Sequence, residues 1–114
     1  MKKIEVVVHH EQLNATSAVL KQLDLGGLTY YDSKGRGQIP RPQLQSGRGT
    51  STYTPEFNTN STIVLIVKDA IFDKVINRIL ENVSTGLAGE GKIFVSEVED
   101  AIDIGSKTRG EDAI

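Results

Sequence analysis

The stretch that decides the fold is IVLIVKDAIFDKVINRILENV, at residues 63–83. Its first five residues are continuously apolar, which predicts a buried strand over 63–67. Asp69 follows as the expected cap of a helix. The apolar residues then recur at helical spacing and share one face of an amphipathic helix: Phe72, Val75, Ile76, Ile79, Leu80 and Val83.

The rest of the chain repeats this plan on either side. A strand is predicted at 4–8, then a helix at 14–25 with Asn14 as its cap and Gly26-Gly27 as its stop. Two further strands are predicted at 28–34 and 92–98, and the tail is expected to add a small extended segment. The order is βαββαβ, the ferredoxin-like α+β plan, in which both helices cover one face of an antiparallel sheet.

The apolar strands predict an oligomer. The strand at 63–67 is apolar at every position and Val6-Val7-Val8 is nearly so, a pattern typical of strands buried on both faces. The 114 residues make one domain, residues 1–114, whose two helices can cover only one face of the sheet. Other copies of the chain are therefore expected to cover the second face.

Composition excludes several classes of protein. The net charge of −2 argues against nucleic acid as a partner, and the absence of cysteine excludes disulfides and thiolate chemistry. No apolar run approaches the roughly 20 residues of a membrane span, and no signal peptide is recognisable, so a cytoplasmic protein without membrane insertion is expected. His9 and His10 are adjacent on a strand and should point to opposite faces, which disfavours a metal site. We find no nucleophile with a matching base, so no enzyme is expected.

Two glycine segments are candidates for anion binding. The first is TGLAGEGK at residues 85–92, where glycines at positive φ can turn backbone N–H groups toward one point and Lys92 adds a charge. The alternative is a glycine helix cap followed by a tight turn. The second segment is Gly35-Arg36-Gly37, for which the alternative is a flexible hinge. In a ferredoxin-like trimer the two segments can meet across a subunit boundary.

A long loop follows the second glycine segment. Residues 35–60 are rich in Gly, Pro, Ser, Thr, Gln and Arg and carry almost no periodic apolar residues. Loops of this length inside a small domain are uncommon and are usually functional. The alternative is a segment that stays disordered until it meets a partner.

These motifs together resemble the PII family of signal-transduction proteins. The resemblance is carried by residues 85–92, by IFVSEVE at 93–99 and by the chain end RGEDAI at 109–114. MKKIE at 1–5, GLT at 27–29, and Lys34-Gly35 with Gly37 also fall where PII proteins have similar residues. The likeness covers nearly the whole chain apart from the long loop, and Glu90 is a conservative departure from the family's usual aspartate.

The resemblance implies a homotrimer, without a prosthetic group, that binds ATP or ADP in clefts between subunits. It also implies that the loop at about 37–60, the T-loop, changes shape with the nucleotide and docks on a target protein, such as a membrane transporter or a nitrogen-metabolism protein. The residues carried over for the adenine and ribose side are Val7, Gly27, Leu28, Thr29, Val64, Leu65 and Ile66. Those carried over for the ribose and phosphates are Gly35, Arg36, Gly37, Gln38, Gly89, Glu90, Gly91 and Lys92. Arg48 near the loop tip and Tyr53 are candidate partner contacts, and an ordinary exposed tyrosine is the favoured reading for Tyr53.

Several positions depart from the family pattern. Two phosphate-binding arginines are replaced by Asp103 and Gly105, and an arginine–glutamine pair by Gln38 and Ile39. The lysine that pairs with 2-oxoglutarate is replaced by Asn60. Because each charge-assisted contact is worth roughly 10- to 100-fold in affinity, we expect weakened triphosphate binding and no response to 2-oxoglutarate.

Two questions stay open at the level of sequence. Arg36, Lys107 or Arg109 could replace the missing phosphate-binding cations. The alternative function keeps the fold but makes the protein a trimeric sensor of another small anion, or a nucleotide-independent interaction module.

Overall fold

The structure, a computed structural model, describes residues 1–37, 44–45, 52–53, 56–87 and 89–114, with backbone pairing alone at 44–45 and 52–53. Its strands are β1 (Lys2–His9), β2 (Leu28–Gly35), β3 (Leu44–Gln45), β4 (Thr52–Tyr53), β5 (Asn58–Val67) and β6 (Gly91–Glu97). Its α-helices are α1 (Leu13–Lys21) and α2 (Asp69–Val83), and short 3₁₀ helices span His10–Gln12 and Gly110–Ala113.

The sheet has the ferredoxin-like order β2-β5-β1-β6, and every neighbouring pair is antiparallel. Its register is set by the two central strands, where Ile63 of β5 lies opposite Val6 of β1 and opposite Tyr30 of β2. The short strands β3 and β4 pair separately with each other. The predicted α+β plan is confirmed.

One face of the sheet packs against both helices and forms the core. Alternate residues of β1 and β5 point to this face and pack with three residues of the helices; the core is Ile4, Val6, Val8, Leu20, Ile63, Leu65, Val67, Val75 and Ile79. The register places the intervening residues on the other face, which we call the open face. There Val7, Val64 and Ile66 are only half-buried, and Tyr31 and Phe94 are exposed. The helices therefore leave an apolar surface uncovered, as the continuous apolar strands predicted.

The first helix differs from its prediction at both ends. The 3₁₀ turn at His10–Gln12 leads directly into α1, so the chain is already helical before Asn14, which lies inside the helix and does not cap it. The position before the helix is Gln12, whose side chain makes no capping bond. The helix ends at Lys21, so Gly26 follows an irregular segment and does not stop the helix.

The second helix matches its predicted span, but its cap differs. Asp69 is the first helical residue, and Lys68 occupies the capping position without a side-chain bond. The Asp69 carboxylate instead forms an ion pair with the Met1 amino group, at 3.1 Å. The start of α2 is thus tied to the start of β1.

The strands that flank the long loop are longer than predicted. Gly35 at the end of β2 pairs with Asn58 at the start of β5, so residues 58–60 belong to a strand and not to the loop. Within the loop, Leu44–Gln45 pairs with Thr52–Tyr53. The tail forms one isolated bridge, between Ile102 and Arg109. Neither α-helix in the described part of the chain is long and apolar enough to cross a bilayer.

Candidate functional site

The two glycine segments lie at the same end of the sheet, which we call the glycine end. Here β2 ends at Gly35 and β6 begins at Gly91, which pairs with Val8 near the end of β1. The segments sit on the two edge strands, separated by three strand spacings, or about 14 Å, across the sheet and by three residues, or about 10 Å, along it. Val7 and Lys92 are paired neighbours on the open face between them.

A side chain at two of these glycines would meet a neighbouring strand, through its backbone at Gly91 and through a side chain at Gly35. A Cβ at Gly91 would lie 2.8 Å from the Val7 carbonyl oxygen, inside the contact distance of real side chains. A Cβ at Gly35 would lie 2.6 Å from Nδ2 of Asn60. Around Gly37, by contrast, no described atom lies within 4 Å of such a Cβ. Backbone packing therefore accounts for Gly91 even without a ligand.

The glycine loop before β6 is held in shape by Glu90. Gly86 and Gly89 have φ of 86° and 84°, the left-handed region that the sequence predicted. The Glu90 carboxylate accepts the Thr85 backbone N–H at 2.8 and 3.0 Å and also the Thr85 hydroxyl. These hydrogen bonds, first that of the hydroxyl, hold the pKa of Glu90 below its ordinary value. Glu90, which the sequence suggested as a ligand contact, thus closes the loop on itself.

A second set of contacts closes the base of the long loop between β2 and β5. Arg36 Nη1 donates to Glu56 Oε1 at 2.8 Å, and its guanidinium carbon lies 5.7 Å from the centre of the Phe57 ring. Lys34 Nζ donates to Thr59 Oγ1 at 2.6 Å. The family resemblance assigned Arg36 to the phosphates, and its pairing with Glu56 was not predicted, since nineteen residues lie between the partners and no local pattern joins them.

A polar cluster that was not predicted from the sequence joins β2 and β5. The Ser61 hydroxyl, which is fully buried, donates to Asp32 Oδ1 at 2.6 Å. His10 Nδ1 lies 3.1 Å from Ser61 Oγ and 3.3 Å from Asp32 Oδ1. The Ser61 bond, followed by that of His10, lowers the pKa of Asp32. The serine is inaccessible and directs its proton to the carboxylate, so the cluster stabilises the β2–β5 hairpin and cannot act as a nucleophile.

The C-terminal arm, residues 98–114, carries the positions where the family arginines are missing. Asp103 accepts the Ser106 backbone N–H at 2.7 Å and the Ser106 hydroxyl at 3.0 Å, which lowers the pKa of its carboxyl. Arg109 is paired with Asp100 through two nitrogens at 3.0 and 3.1 Å. Of the three suggested replacement cations, only Lys107 forms no ion pair within the described ranges.

The remaining site residues lie elsewhere on the chain. Thr29 pairs with Val64, and Leu28 with Leu65, far from the glycine end. Gln38 and Arg48 lie outside the described residues, and for Tyr53 only its backbone pairing with Leu44 is described. Among the residues that the structure describes, no group of three or more acidic, histidine or cysteine side chains could hold a metal ion.

The fold and the site together define the class of protein. It is a ferredoxin-like α+β domain with glycine-containing loops at one end of its sheet and a long loop beside them. The family model described as Nitrogen regulatory protein P-II matches residues 1–108. Curated proteins described as Nitrogen regulatory protein P-II, from Rhodospirillum rubrum and Bradyrhizobium diazoefficiens, are 36% and 34% identical over 100% of both chains. Nitrogen regulatory protein P-II 1 of Methanothermobacter thermautotrophicus is 32% identical over 100% of this chain and 97% of its own. The chain therefore belongs to the P-II family of signal-transduction proteins, which confirms the resemblance read from its motifs.

Proposed function

We propose that this protein is a nitrogen-regulatory signal transducer of the P-II type that senses ATP or ADP between the subunits of a homotrimer. The T-loop then controls a target protein, either a membrane transporter or a protein of nitrogen metabolism. The observation that carries the proposal is the glycine loop before β6, whose glycines take positive φ next to the exposed Lys92. That geometry can direct backbone N–H groups and a cation toward phosphate.

The spacing of the site residues supports a site shared between copies. Gly27 to Thr29 lie at the start of β2 and Gly35 at its end, about 23 Å away at the rise of a strand. The two groups thus lie at opposite ends of one strand. This separation favours a site in which a second copy supplies Gly27 to Thr29 to the glycine end of the first.

The open face supports the same oligomer. Its half-buried and exposed apolar residues include Val64, Ile66 and Phe94, all on a face that neither helix covers. Burial of such surface contributes roughly 25 cal/mol per Å², which favours association.

The charges at the site favour ADP, or weak discrimination between ADP and ATP. Asp103 adds a negative charge where the family has a phosphate-binding arginine, and Arg109 is already paired with Asp100. Each missing cation removes roughly 10- to 100-fold in affinity, and the loss is largest for the longest phosphate chain. The uncharged Asn60 in place of a lysine favours a site that does not respond to 2-oxoglutarate.

Calorimetry tests the proposal directly. We expect ADP and ATP to bind the wild-type trimer, and AMP to bind more weakly because it lacks the outer phosphates. Lys92→Ala should weaken ADP roughly 10- to 100-fold, while Lys21→Ala, an exposed lysine on α1, should leave binding unchanged. Light scattering should give the mass of three chains. No binding of either nucleotide at millimolar concentration, or a monomer in solution, would contradict the proposal.

A second candidate is a sensor of another small anion on the same glycine loop. The observation that favours it is the pairing of Arg109 with Asp100, together with the acidic Asp103, which leaves few unpaired cations for a polyphosphate on the described part of the C-terminal arm. Thermal unfolding distinguishes the two functions. ADP should raise the midpoint if the protein senses nucleotides, whereas inorganic phosphate should raise it and ADP should not if the second function holds.

A further inference from the structure

One arginine connects the two ends of the T-loop. Arg36 directly follows β2, and Glu56 and Phe57 directly precede β5. The 2.8 Å contact from Arg36 Nη1 to Glu56 Oε1, and the position of the guanidinium 5.7 Å from the Phe57 ring centre, therefore close the mouth of the loop. We call these three residues the mouth clasp.

The mouth clasp is open to water and correspondingly weak. The side chains of Arg36 and Glu56 are 63% and 66% exposed. An ion pair at such a position is screened by solvent and contributes about fivefold at most to an equilibrium. The exposed cation–π contact with Phe57 adds a similar small amount. A stronger anion that reaches Arg36 should therefore displace Glu56.

Arg36 lies where an anion bound at the glycine end can reach it. It lies between Gly35 and Gly37, at the glycine end, and no described atom within 4 Å would obstruct a Cβ at Gly37. The Arg36 side chain is 63% exposed, so a ligand can reach its guanidinium from solvent. Two phosphate oxygens can accept parallel hydrogen bonds from one guanidinium. Glu56, by contrast, accepts a hydrogen bond from a single nitrogen of Arg36.

We propose that Arg36 is a ligand-binding and specificity residue that exchanges Glu56 for the phosphate chain of a bound nucleotide, so that nucleotide binding opens the mouth of the T-loop. The proposal rests on the proposed function, because it requires a nucleotide at the glycine end. It assigns to Arg36 the role of one of the missing arginines, and to Glu56 that of a competitor for the same guanidinium.

The exchange has a reciprocal consequence. If the nucleotide breaks the mouth clasp, then breaking the clasp beforehand must favour the nucleotide by the same factor. Glu56→Gln should therefore raise the affinity for ADP by up to about fivefold, since Arg36 no longer has to leave an anionic partner. Arg36→Ala should lower the affinity roughly 10- to 100-fold.

The test is a double-mutant cycle with two readouts. Calorimetry with ADP is run on the wild type, Arg36→Ala, Glu56→Gln and the double variant, with Asp73→Asn on α2 as a control that removes one exposed carboxylate elsewhere. Hydrogen–deuterium exchange then measures the backbone of residues 56–57, on the side of the mouth clasp that is not assigned to the ligand, with and without ADP. We expect tighter binding for Glu56→Gln alone, no effect of Glu56→Gln when Arg36 is absent, and faster exchange at the loop mouth when ADP is bound.

The outcomes separate this proposal from the one it rests on. If the wild type binds no nucleotide at all, the proposed function fails. If the wild type binds ADP but Glu56→Gln leaves its affinity unchanged, the exchange is refuted. It is also refuted if Glu56→Gln tightens binding equally with and without Arg36, because Glu56 would then repel the ligand directly.

Discussion

Replacing Gly91 with alanine tests how tightly β6 approaches β1. The new Cβ would lie 2.8 Å from the Val7 carbonyl oxygen and 3.4 Å from Val8 Cγ1. The obstructing oxygen belongs to the backbone of β1, which is hydrogen-bonded to β5 on one side and to β6 on the other. This oxygen cannot move away without disturbing the hydrogen bonds of β1 to both neighbouring strands. The strain should therefore be of the size found for overpacked cores, about 1–3 kcal/mol.

The loss of glycine also restricts the unfolded chain, which offsets about 0.4–1 kcal/mol of this strain. We therefore expect Gly91→Ala to be destabilised by about 1–2 kcal/mol, a fall in the unfolding midpoint of roughly 4–8 °C for a domain of this size. Circular dichroism during thermal unfolding measures it, at one protein concentration for all variants because the stability of an oligomer depends on concentration.

Two matched glycines provide the controls. Gly37→Ala meets no described atom within 4 Å and should be neutral or slightly stabilising. Gly35→Ala meets Asn60 Nδ2 at 2.6 Å, an atom of a side chain and not of the backbone, so its cost should lie between the other two. If Gly91→Ala is as stable as the wild type, or Gly37→Ala loses as much stability, the packing argument is refuted.

Three further changes test the core, the glycine loop and the polar cluster. Ile79→Ala should cost about 2–5 kcal/mol in urea unfolding because Ile79 is buried, whereas the half-exposed neighbour Leu80→Ala should cost less than about 1 kcal/mol. Glu90→Gln should be less stable than the wild type at neutral pH. The pKa of Glu90 in the folded protein lies below its ordinary value of 4.5. The difference in stability between the two proteins should therefore shrink as the pH falls through the folded pKa and vanish below it. A stability difference that is unchanged at pH 2 would contradict the loop-closing role. Ser61→Ala should raise the carboxyl pKa of Asp32 toward 3.8 in an NMR titration, and an unmoved pKa would mean that the hydroxyl does not stabilise the carboxylate.

The fold was predictable because its main elements carry local patterns. The apolar run at 63–67 and the helical spacing at 69–83 both correspond to the observed β5 and α2. The failures lie at element ends, where no periodicity exists. Asn58 to Asn60 are polar and read as loop, yet cross-strand pairing with Ser33 to Gly35 makes them strand.

The candidate site was predictable only in part. Positive φ at Gly86 and Gly89 followed from glycine chemistry, and the family motifs identified the chain as a P-II protein. The hydrogen bonds of Glu90 back to Thr85 could not be read from residue type, since a carboxylate at that position could equally face a ligand.

What the sequence alone determined is therefore the order of the elements, the apolar face that the helices leave open, and the family. Hydrophobic period and local backbone preference act over a few residues, so each can be read from a short window. Tertiary structure alone decided which polar side chains meet. Arg36 reaches Glu56, and His10 reaches Asp32 and Ser61, because the pairing of β2 with β5 and the turn after β1 bring distant segments to one end of the sheet.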